Sequence, residues 1–433
     1  MTQTKLAFNQ INGNVVSVLD FGADPTGAAD STAAIQAAID TGGAIVFPEG
    51  TYKATGLTQS ANDQKFIGLG NAVVTRGSGS LLLTSTGRNV SFDNISFLGN
   101  AAGTGNLVKC TGDIVSLDNC SARTDAGHAV ILEGNSCQIQ GTNDIYYSAG
   151  TGSSADAAIA IGVTGTSTLY TSISAVKTST STYGIKYYDH GASAISDSQL
   201  GTVDMTAGAA YINNCRIVGD YIVTNAFNQI KNSTISGDVT LGDGSSTPSG
   251  ISFGPGIGMQ SGATITINKM RESHVDCVNL GNGGITITDN LTGNAADIGN
   301  NIFFPPLAWA PTWRAVSADP SIGNGTISGF YTRQGSRINV TIYILMGSTT
   351  TYGTGSYYFP LPAPTKSGFS GGVFCEDSGT GYLYGQALGG FDFGDNIRLI
   401  RYSDGFQFAP TIPITWANGD EINIDVTYTV DNT

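Results

Sequence analysis

From about residue 45 to 300 the chain alternates apolar and polar positions in short runs, a period-2 pattern that predicts strands rather than helices. One motif recurs in irregular form: an apolar or β-branched residue, then Asn within a few positions, then another apolar residue. It reads VSFDNISF at 90–97, VSLDNCSA at 115–122, AYINNCRI at 210–217 and NQIKNSTI at 228–235. The asparagines are Asn94, Asn119, Asn214 and Asn232. Neighbouring copies lie 25 and 18 residues apart, close to the spacing of solenoid repeats. Strands this short cannot bury a face alone, whereas coils stacked at about 4.8 Å bury one continuous core. The expected fold class is therefore all-β: a right-handed parallel β-helix of roughly ten or more coils, with like residues stacked inward and Asn ladders at the turns. A β-sandwich suits the pattern less, because it needs longer strands and cleaner hairpin signals.

The pattern changes at both ends. Near the start, Asp24-Pro25-Thr26-Gly27 is a turn signal. Asp30 is placed to cap a helix beginning at Ser31, and Ala34, Ile35, Ala38 and Ile39 give it one apolar stripe. Gly42-Gly43 ends the helix, and Ala44 to Phe47 predicts a buried strand. A lone helix ahead of many strands reads as a cap over the open end of the stack. Near residue 303 the composition shifts. Residues 303–433 hold 22 of the 39 aromatics and no histidine. Runs at 337–346, 356–362, 396–402 and 421–430 alternate as ordinary strands between Gly- and Pro-containing turns, which predicts an antiparallel β-sandwich of jelly-roll type. The expected domains are residues 1–20, 21–302 and 303–433.

Charge and cysteine narrow the function. A net charge of −14 with no Lys/Arg cluster argues against a nucleic-acid partner. The six cysteines form no CxxC pair and no metal-finger spacing, so buried free thiols are expected and no metal or cofactor is called for. The first residues lack the apolar core of a secretory leader, and no apolar run reaches membrane-spanning length, so membrane insertion is not expected. Leu6, Phe8 and Ile11 are spaced apolar residues in a short leading segment. They form either a frayed terminus or a docking peptide for a larger assembly.

Three stretches, Asp20-Phe21-Gly22-Ala23, then Asp30 to Ala38, then Val46-Phe47-Pro48-Glu49-Gly50-Thr51-Tyr52, resemble the opening of pectate-lyase-like β-helix domains in bacteriophage tailspikes. The resemblance covers roughly residues 15–52, and the following 250 residues agree in repeat style. It implies a homotrimer made in the host cytoplasm and located in the virion tail. It also implies an N-terminus held by a tail, adaptor or baseplate protein and a β-helix surface that binds bacterial polysaccharide. Some such proteins cleave the glycan and others only bind it. An acidic β-helix with a separate aromatic β-domain also suits symmetric self-association.

Cleavage by hydrolysis needs two carboxyl groups flanking the bond. Two segments offer them: Asn143-Asp144-Ile145-Tyr146-Tyr147 and Lys186-Tyr187-Tyr188-Asp189-His190. The tyrosine pairs are 41 residues apart, about two coils if each coil takes about 20 residues. Asp144 and Asp189 would then form an acid/base pair, with tyrosines among Tyr146, Tyr147, Tyr187 and Tyr188 stacking on sugars. The competing reading buries the inward tyrosines and leaves the aspartates at solvated turns. His128 with Glu133 is a second candidate, for which an exposed turn is the bland explanation. Arg271 to Asp276 packs five polar residues into six positions, fitting an acidic sugar, a last-coil junction or a trimer contact.

Overall fold

In a computed structural model the described residues are 15–79, 81–99, 105–148, 156–163, 170–180, 183–188, 192–225, 227–242, 250–260, 262–268, 274–279, 286–289, 306–334, 337–378, 381–389 and 394–429. They fall into two compact units.

The first unit is a parallel β-helix. Among the described residues it has an 18-stranded sheet and an 11-stranded sheet, and every strand pairing recorded in them is parallel. Each coil delivers two short arms to the larger sheet, here called the corner sheet, and one strand to the smaller, the side sheet. Asn94, Asn119, Asn214 and Asn232 sit between the two arms with φ of 48–54°, the left-handed region that Asn tolerates best among non-glycine residues. The predicted ladders form there. Asn214 donates to Asp197 Oδ1 at 2.7 Å, Asn232 to Asn213 Oδ1 at 3.0 Å, and Asn94 to the Gly68 carbonyl at 2.9 Å. The inward residues stack like on like: Ile139, Ile173, Ile195, Ile212 and Ile230 form one column in the first arm. Phe66 and Phe92 stack at 4.6 Å. Each such side chain contributes about 1.5–3 kcal/mol by leaving water.

Coil length is not constant. Neighbouring coils are offset by 26 residues near Arg88, by 29 between His128 and Ala157, and by 18 between Ala210 and Asn228. Most strands return in register, so most extra residues are taken up between strands, and a few enter as register shifts within them, at 67–72 and 140–144.

The predicted cap is present. A helix spans Thr32–Ile39 and buries Ile35, Ala38 and Ile39. Its N-cap position is Ser31, but the capping bond comes from Asp30, whose Oδ1 accepts the Thr32 N–H at 2.8 Å. The Asp24 carboxylate closes the preceding turn by accepting from the Thr26 and Ala29 amides at 2.9 and 2.7 Å. Those bonds hold its pKa at about 2. Cys110, Cys120, Cys137, Cys215 and Cys375 are buried free thiols, as expected from a large apolar core.

The second unit is antiparallel. Its strands include Arg337–Leu345, Tyr357–Pro360, Asn396–Arg401 and Glu421–Thr429, each inside a segment read from alternation. Among the described residues they belong to one hydrogen-bonded network of nine strands, so the antiparallel sandwich expected from the sequence is seen in part. The inner-face residues across its width form a single core around Trp313, Tyr357, Phe408 and Trp416.

Candidate functional site

On the side sheet, register places Lys109, Ile131, Ala160, Lys186 and Asp204 in one outward column. Outward positions of a β-helix ordinarily meet water, yet Ile131, Ala160 and Asp204 are buried. Two ion pairs are enclosed here. Lys109 Nζ lies 2.9 Å from Glu133 Oε2, and Lys186 Nζ lies 3.4 Å from Asp204 Oδ2, with the carboxylates only 3% and 6% exposed. The Lys186 ammonium also stands 4.0 Å from the centre of the Tyr183 ring. His128 joins this layer. Its Nδ1 accepts the Ala157 N–H at 3.0 Å, and its ring meets Tyr188 edge-on at 5.5 Å. Burial pushes the His128 pKa down more strongly than the nearby Asp156 raises it, so the ring is neutral. Burial, followed by the charges of Asp156 and Asp204, pushes the Tyr188 hydroxyl up to about 12.

The candidate residues read from sequence are thus brought together only in part. His128, Glu133 and Tyr188 converge on the side sheet. His128 is not at an exposed turn; it is buried and accepts a backbone amide. Glu133 and Asp204 stand three coils apart, about 14 Å, beyond the roughly 6.5–9.5 Å of an inverting carboxyl pair. The tyrosine pairs do not share a face. Tyr146 lies in the corner sheet and Tyr187 in the side sheet. They are 0% and 1% exposed, so neither stacks on a sugar. The 41-residue spacing misled because the intervening coils are longer than 20 residues. Gly208 leaves room for the Tyr187 ring, where a Cβ would overlap it. Asp144 and Tyr147 belong to the strand Cys137–Ser148, but their side chains lie outside the described residues, as do Asp189, Leu6, Phe8 and Ile11. The Arg271–Asp276 side chains do too. Among the described residues no group of His, Cys, Asp and Glu is placed to hold a metal.

The accessible site was not picked out from the sequence. A groove of about 400 Å³ follows the second arm of the corner sheet, lined by Lys177, Asp197, Gln199, Asn214, Arg216 and Asn232 among others. Lys177, Gln199 and Arg216 are register partners on three successive coils. Across the Asn corner, the Lys231 ammonium stands 4.8 Å from the Tyr211 ring centre. Further along the sheet a groove of about 360 Å³ is lined by Tyr170, Ala192, Ala194 and Gln138. Such a surface offers amide and cationic donors beside exposed ring faces, which suits a chain of hydroxyl-bearing rings. The signal available in the sequence was the spacing of Lys177, Arg216 and Lys231, which resolves into a strip only once coil lengths are known.

Residues 15–217 match the family model described as rhamnogalacturonase A/epimerase, pectate lyase-like. A curated relative, the Mu-like prophage FluMu defective tail fiber protein of Haemophilus influenzae, is 28% identical over 114 residues. That match covers 25% of this chain and 18% of the relative's length. Among solved structures, the Dettilon tailspike protein gives a TM-score of 0.48 at 12% identity, over 96% of this chain and 94% of the other. The tailspike protein of E. coli bacteriophage HK620 gives 0.47 at 11% identity, with the same coverage.

Proposed function

We propose that this chain is a tailspike-like receptor-binding protein of a bacteriophage tail, which attaches the virion to a polysaccharide on the host surface. The observation that carries this reading is the open polar groove laid along successive coils of the corner sheet, with exposed aromatic rings beside it. The likeness to a prophage tail fibre protein supports the tail location. Residues 1–20 would dock the protein to its tail partner, 21–302 would form the right-handed recognition helix, and 303–433 would close a homotrimer. The ion-paired, widely separated carboxylates of the side sheet favour binding over cleavage. The test is to add purified protein to host cells and to the isolated capsule or lipopolysaccharide. Block of phage adsorption and direct glycan binding, without new reducing ends or unsaturated uronate absorbance, is the expected result. No binding to any host glycan would overturn the proposal. New ends would make the protein a depolymerase.

A further inference from the structure

We infer that the groove on the second arm of the corner sheet recognises an acidic polysaccharide, with Lys177 and Arg216 engaging carboxylates on its sugars. This rests on the glycan-binding reading above and names the class of glycan. Cations are scarce in this chain, 19 Lys and Arg against 33 Asp and Glu. Even so, Lys177, Arg216 and Lys231 face outward on the same stretch of the corner sheet, within four successive coils. The salt bridges among the described residues use other cations: Lys109, Lys186, Arg314 and Arg401. The acid lining this groove, Asp197, is held ionised by the Asn214 amide and offsets only one of the three cations Lys177, Arg216 and Lys231. The strip is therefore a local excess of positive charge on a molecule of net charge −14.

Geometry selects the partner. Lys177 and Arg216 are two coils apart, which is about 9–10 Å, or roughly the length of two pyranose rings in a chain. Gln199 lies between them, and Asn214 and Asn232 flank them, so neutral donors and acceptors alternate with the cations where hydroxyls would fall. A singly charged group meeting one cation at each end fits this layout. A nucleic acid does not, because its charge density requires contiguous cations and would meet the repulsion of the whole acidic particle.

The experiment uses the full chain on an array of bacterial surface polysaccharides, acidic and neutral, with Lys177→Gln and Arg216→Gln compared with wild type. The glycans bound should be acidic, each substitution should weaken binding roughly tenfold, and added salt should weaken wild type more than the double variant. Carbodiimide reduction of the carboxyl groups of the best-bound glycan should abolish binding, whereas removal of its phosphate should leave binding intact. Circular dichroism melts of the variants should match wild type, since both side chains lie on the outer face. Tight binding of neutral glycans that ignores both substitutions would overturn this inference and leave the glycan-binding function standing. Loss of binding only on phosphate removal would also overturn it. A change in oligomeric state of the variants with unchanged glycan binding would reassign the strip to a contact between copies.

Discussion

Gly87, Gly112 and Gly134 stack one upon another at the same turn of three successive coils, and Gly134→Ala tests how tightly those coils are seated. Their backbones are not left-handed, so conformational freedom is not what requires glycine. Space is. A Cβ on Gly134 would lie 2.5 Å from the Gly112 carbonyl carbon, and closer still to its oxygen. Ordinary van der Waals contact begins near 3.4 Å. Relieving the overlap with the oxygen parts the two coils by about 1.5 Å, which stretches the bonds that close the turn beyond hydrogen-bond range. Three are at stake: Glu133 N–H to the Cys110 carbonyl at 2.8 Å, Ile114 N–H to the Asn135 carbonyl at 2.7 Å, and Asn135 N–H to Asp113 Oδ1 at 3.0 Å. At about 1 kcal/mol each the loss is about 3 kcal/mol, near the upper end for a single substitution. Gly22→Ala is the control. Gly22 has φ of +89° and nothing within 4 Å of its would-be Cβ, so only the left-handed penalty of about 1–2 kcal/mol applies. Urea denaturation of the three proteins gives the comparison. If Gly134→Ala falls within about 0.5 kcal/mol of wild type, the close stacking argued here is wrong.

Other substitutions test other parts of the fold. Ile114 is a β-branched residue held at φ of 57°, at a corner where neighbouring coils carry Asp63, Asn89 and Ser136 in the same conformation. Ile114→Asn should raise stability by about 1 kcal/mol, read as a higher urea midpoint with unchanged slope. Because hydrogen bonds lower the Asp24 pKa to about 2 from an ordinary 3.8, its stabilising contribution is complete above pH 3.8. It is lost as pH falls through 2. Carboxyl-selective NMR titration should show Asp24 still ionised at pH 3, and a midpoint near 4 would refute the turn described. Glu133→Gln leaves Lys109 beside a neutral partner in a mostly enclosed layer and should cost about 2 kcal/mol, with a double-mutant cycle against Lys109→Met isolating the pair.

The parts of the fold that rest on local chemistry were legible in the sequence. Asn94, Asn119, Asn214 and Asn232 announced the corners because so few residues accept a left-handed backbone, and the alternation at 421–430 announced a strand because its inner face is a core. What failed was arithmetic across coils. Tyr146 and Tyr187 looked like partners on an assumed repeat, but insertions between strands moved one to the other sheet. His128 looked like a turn residue, and nothing in its immediate neighbours reveals that Ala157, 29 residues on, donates to it.

The unequal coil lengths carry a consequence for how such a protein can diversify. A coil has only to return its strands to fixed lines, and the chain here does so with as few as 17 residues or as many as 34. Insertions can therefore accumulate at the bends without re-solving the interior. The outer surface can thus be reshaped by lengthening or trimming one bend while the stacked interior stays as it is.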